Sequence, residues 1–95
     1  MSNVEFIYQG KSLIPTKIAV QELSEIDSTL YDVVEILEKG FPIRKRAKSI
    51  IERGMQKGNK IVNVVIVDVG NYYKLIHAGQ FTASRKFKKL MKNEL

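Results

Sequence analysis

The residues best suited to chemistry are cationic, and they fall in two clusters. Arg44, Lys45, Arg46, Lys48, Arg53, Lys57 and Lys60 crowd the middle of the chain; Arg85, Lys86, Lys88, Lys89 and Lys92 crowd its end. Arginine can fork two phosphate oxygens at once, and lysine meets them as a point charge. Gathered on one side, the clusters would make a groove that neutralises several phosphates of a nucleic acid. Tyr72 and Tyr73 lie between them in sequence, and a tyrosine ring can take an unstacked base. His77 is the only histidine. An imidazole near phosphate-binding bases can move a proton while an RNA 2′-hydroxyl attacks its own phosphate, with Arg44, Arg53 or Arg85 supplying positive charge. Each feature also has a plain structural reading. Exposed bases solvate a surface, one of the two tyrosines belongs to the core, and a lone histidine on an apolar strand is a satisfied structural residue.

Other chemistries lack their residues. There is no cysteine, which excludes disulfides and thiolate metal sites, and one histidine excludes a multi-histidine metal site. Asp32, Glu35 and Glu38 share part of a helix surface and read as solvated acids. Asp68 interrupts an apolar strand near its end, where a turn-side position explains it. No phosphate-binding glycine loop, nucleophile elbow or calcium loop is present. No cofactor and no metal are expected.

These candidates need a scaffold, and 95 residues, 44% of them apolar, suffice for one domain spanning 1–95. Apolar runs are far shorter than a membrane span requires, and "MSNVEFIYQG" has neither a basic start nor an apolar signal core. A cytoplasmic protein with no membrane contact is expected. Net charge is +6, but residues 1–42 hold three bases against seven acids while 43–95 hold thirteen against three. Such a division suggests a polyanion-binding face opposite an acidic, solvated one.

"NVEFIYQ" alternates, with Val4, Phe6 and Tyr8 on one side, and reads as a strand ended by Gly10. This strand, at residues 3–9, could lie at a sheet edge and pair across a homodimer. Thr16, after Pro15, can cap a helix whose face carries Ala19, Leu23 and Ile26. Thr29 can cap a second helix, with Asp32 in its first turn, a stripe of Leu30, Val33, Val34 and Leu37, and a left-handed stop at Gly40. After Pro42 the pattern fits either a helix or a basic loop at 43–48 followed by a strand over about 49–55; the hairpin signal "KGNK" favours the loop and strand. "KIVNVVIVDVG" reads as a strand covered on both faces. "YYKLIHAGQF" reads as another, with Tyr73, Leu75, His77, Gly79 and Phe81 on one face and a weak point or bulge at Gly79. A closing helix carries Ala83, Phe87, Leu90 and Met91. The expected fold is α+β, ordered β-α-α-β-β-β-α, with helices packed on one antiparallel sheet.

"TKIAVQELSEIDSTLYDVVEILEKG" and "KLIHAGQF" together resemble a family of small archaeal and bacterial domains related to the BrnT and RelE-type ribonuclease toxins. That family tends to read T-x-H-A, then an arginine before a short turn, then D-V-x-x-x-L-x-x-G, followed by basic residues, a hairpin and a strand. Asp32, Val33, Leu37 and Gly40 match, as do His77, Gly79 and Phe81, and the resemblance spans roughly residues 13–82. The family histidine falls at Ile18 and the family arginine at Ile26, so packing is expected where the family has polar groups. The resemblance implies a toxin-like fold more than a toxin's activity. The leading expectation is therefore a nucleic-acid-binding module, for RNA, of toxin-like fold and catalytically degenerate. Its contacts would be Arg44, Lys45, Arg46, Lys48, Arg53, Tyr72, Tyr73, Arg85, Lys88 and Lys89. One alternative is a protein-interaction domain whose basic face meets an acidic partner. Another is a metal-free ribonuclease using His77.

Overall fold

Two tight turns frame the sheet. Gln9 and Gly10 both adopt positive φ, 49° and 79°, the pattern of a type I′ turn. They fold β1 (Ile7–Tyr8) onto β2 (Lys11–Pro15), with Tyr8 paired to Lys11. Gly58, at φ 65°, opens the two-residue turn between β4 (Ile50–Lys57) and β5 (Lys60–Asp68). The structure, a computed structural model, describes residues 5–44 and 46–83. Between β2 and β4 come α1 (Lys17–Glu25), α2 (Leu30–Lys39) and β3 (Phe41–Pro42); β6 (Tyr72–Thr82) follows β5. Among the described residues, no helix is long and apolar enough to cross a membrane.

The α+β class is as expected, but the strands differ in number and direction. Among the described residues, six strands lie in the order β1-β2-β6-β5-β4-β3. Residues 11–15 were not foreseen as a strand. Residues 12–15 pair in parallel with residues 72–75 of β6, so the sheet is mixed and not wholly antiparallel. Parallel pairing needs a crossover, and α1 through β5 provide it. The short β3 was also missed; two residues, one of them a proline, carry no alternation to read. The closing helix expected after β6 lies outside the described residues.

Both helix starts follow their cap chemistry. Thr16 Oγ1 accepts from the Ala19 N–H at 3.1 Å. Asp32 reaches back to accept from the Thr29 N–H at 2.8 Å. That bond, aided by Lys57 at 3.6 Å, holds the Asp32 carboxyl below its ordinary range. The stop at Gly40 is not left-handed, since φ is −78°. Glycine is required there because a Cβ would strike the backbone oxygens of Gly54 and Ile36.

Helix residues Ala19, Leu23, Val33, Ile36 and Leu37 pack against Leu13, Val62, Val64, Ile66, Tyr73, Leu75 and Ala78. This cluster fills one face of the sheet. Ile61 and Val65, on the opposite face, are only 1% exposed, so β5 is covered on both sides as its sequence predicts. Of Ile18 and Ile26, both expected to pack, Ile26 packs against the core, whereas Ile18 is 68% exposed and takes no packing role.

Candidate anion-binding site

The site begins with a segment folded over the sheet face opposite α1 and α2. The Ile43 N–H donates to Glu52 O at 3.2 Å, the Ile50 N–H to Ala47 O at 2.9 Å, and the Asp68 N–H to Ser49 O at 2.8 Å. Ile43 lies on Gly54, where an added Cβ would come within 2.7 Å of the Ile43 Cδ1. The basic loop is thus stitched down at both ends.

Arg44 and Arg46 converge on one atom. Their Nε atoms lie 3.0 and 2.9 Å from Glu52 Oε1. The Glu52 side chain is 1% exposed, and its Oε2 accepts from Asn63 Nδ2 at 3.1 Å. A carboxylate buried alone would cost several kcal/mol; here two guanidiniums and an amide offset that cost. A guanidinium carries five N–H donors, so each arginine can bind Glu52 through Nε and still offer terminal N–H groups. Arg44 remains 64% exposed and Arg46 36% exposed. Together with Lys48, Pro42 and Ile50 they line an open cleft of about 470 Å³. Arg44, Arg46, Lys48 and Arg53 line the cleft against the one acid Glu52, so the cleft is electropositive.

No protein-family model, curated protein or solved structure matches this chain. The site therefore rests on its own geometry.

The other expected contacts divide. Arg53 also lines the cleft, but its Nη2 donates to Gly40 O, and its Nε is buried without an acceptor among the described residues. It ties α2 to β4, a structural role. Tyr73 is 5% exposed and tilted against Tyr8 at 5.4 Å, so it offers no ring to a base. Lys11 lies over its ring and pairs with Asp68 at 2.8 Å. That hydrogen bond raises the Lys11 ammonium above its ordinary range and lowers the Asp68 carboxyl below its own. Tyr72 is half-buried beside Ser12. Lys45, Arg85, Lys88 and Lys89 lie outside the described residues.

His77 is on the opposite face from that expected. Val65 pairs with His77, but Ile66 pairs with Leu75, which leaves Ile76 as an extra residue. The bulge is here and not at Gly79. It breaks the alternation, so Tyr73, Leu75 and Ala78 face the core while His77 and Gly79 turn to the Glu52 side. Glu22 of α1 holds the ring, with Oε2 3.0 Å from Nδ1, while its Oε1 accepts from the Ala78 N–H at 3.2 Å. The carboxylate thus also satisfies part of the β6 edge beyond the reach of β2.

Sequence reading missed Glu52, Asn63 and Glu22. Asn63 did leave a signal: it interrupts "IVNVVIV" on a strand buried on both faces, where a polar side chain must find a partner. Glu22 left none, because its contact depends on where α1 crosses the sheet.

Proposed function

We propose that this protein binds single-stranded RNA, taking its phosphates in the Arg44–Arg46–Lys48 cleft. The supporting observation is the pair of guanidiniums anchored on one buried carboxylate oxygen. Such an anchor fixes two long side chains before a ligand arrives and reduces the ordering cost of binding. Fixed arginines suit the forked geometry of phosphate oxygens. The reading carries a toxin-like, catalytically degenerate fold and a cytoplasmic place with it. The helix pair preceding a hairpin of long strands supports that fold class.

Fluorescence anisotropy with short single-stranded RNA, duplex DNA and heparin, each at two salt concentrations, tests it. RNA affinity should fall steeply with salt, and Arg44→Ala with Arg46→Ala should remove most of it. Failure of RNA to bind at low salt would discard the reading. Salt-insensitive binding of an acidic protein in place of RNA would favour a protein-interaction domain.

A further inference from the structure

We propose that Asn63 and His77 form a notch that reads the exocyclic amino group of a nucleobase. The inference deepens the RNA reading and shares its face of the sheet, but its chemistry is independent of the arginines.

Gly54, Asn63 and Gly79 are cross-strand neighbours in one row. Ile43 fills the Gly54 side, and the Gly79 side has no side chain. A Cβ placed on Gly79 would stand 3.2 Å from His77 Nε2 and 3.4 Å from Asn63 Oδ1. Two polar atoms therefore converge on one small space. Their identities follow from their partners. A carboxylate only accepts, so the Asn63 amide must turn Nδ2 to Glu52 and Oδ1 toward Gly79. By the same argument Glu22 takes the Nδ1–H of His77, leaving Nε2 a lone-pair acceptor in the neutral ring. The notch then presents two acceptors, each pinned from behind.

Two acceptors call for a group with two N–H donors. The amino groups of cytosine, adenine and guanine have them. Uracil has no amino group; its single edge donor, N3–H, lies between two carbonyl oxygens that would meet the acceptors lone pair to lone pair. A site built to receive donors rejects an analogue that lacks them far more strongly than an apolar pocket would. The imidazole is 47% exposed, so a base edge can reach it. Glu52 and His77 flank Val65 in one cross-strand row, about 10 Å apart at two strand spacings. A base in the notch would thus lie on the same face as the phosphate cleft.

The test uses nucleosides, which carry no phosphate. The full chain, labelled with nitrogen-15, is titrated with cytidine and with uridine at millimolar concentrations. Cytidine should shift the His77 ring and Asn63 side-chain amide signals saturably, and uridine should leave them in place. Gly79→Ala should abolish the cytidine response while the remaining spectrum stays folded. Equal responses to both nucleosides, or no response to either, would overturn the proposal. In parallel, oligo(C) should bind about tenfold more tightly than oligo(U). Equal binding of the two oligomers would defeat the notch and leave the phosphate cleft standing. A cytidine response without oligomer binding would do the reverse.

Discussion

Glu52 determines what its neighbours can do. It is the acid that two arginines and an amide share, and it stands nearly sealed from water. Replacing it with glutamine raises the net charge, which by long-range attraction alone would strengthen RNA binding. We expect weakening instead, by about tenfold, because two arginines lose their common anchor and must be ordered on binding. Anisotropy at fixed ionic strength decides between these outcomes. Glu52→Ala should also cost about 1–3 kcal/mol in urea unfolding, since Asn63 would lose its acceptor. At this scale the sequence was informative about Arg44, Arg46 and Lys48, whose density in a loop is visible without a structure. It was silent on Glu52, because a single acid in a basic stretch looks like ordinary surface charge. Arg53 belongs to the same basic stretch as Arg46, yet it serves α2, because it lies on the helix-side face of β4.

Among the elements, α2 has the clearest local design. The Thr29–Asp32 contact closes its first turn, and Asp32→Ala should cost about 1 kcal/mol. Acid should produce the same loss. The Asp32 carboxyl sits below its ordinary value of 3.8 when folded, so its contribution is present above that pH and disappears as pH falls through the lower, folded value. Urea midpoints measured downward from pH 5 should show this slope, and Asp32→Asn should flatten it. Gly40 makes a second test at this scale. Alanine there drives a methyl group into two backbone oxygens, which should cost about 1–3 kcal/mol or more in thermal or urea unfolding. Both helices were legible from caps and apolar spacing. So were β5 and β6, whose branched residues leave little choice. β2 was not, because "KSLIP" is short and ends in proline; it becomes a strand through the β1 turn and the exposed backbone of β6. The bulge at Ile76 was invisible for a related reason. An extra residue in a strand appears only when its partner's register is known, and this one decides the face of His77.

At the scale of the molecule, among the described residues, most acids lie on α1 and α2, whereas Arg44, Arg46 and Lys48 lie on the loop before β4. For single strands, affinity falls with salt with a logarithmic slope of about −0.7 per phosphate neutralised. Arg44, Arg46 and Lys48, if each neutralises one phosphate, would give about −2, and Lys48→Ala should make the slope shallower by about 0.7 without altering the preference among bases. A salt titration of wild type and variant measures both. By contrast, Ile18→Lys should leave stability within about 0.5 kcal/mol, because the residue already stands in water.

The parallel union of β2 with β6 has a consequence for how the chain is made. Residues 12–15 join the main sheet only through 72–75, their other neighbour being the two-residue β1, so the β1–β2 hairpin must wait for the last strand. During translation α1 and α2 emerge with an oily side and no surface to cover. The hairpins of β4, β5 and β6 can close locally, but β2 docks on β6 only after nearly the whole polypeptide has left the ribosome. A nascent chain halted before Leu75 should therefore remain a protease-sensitive, chaperone-bound intermediate.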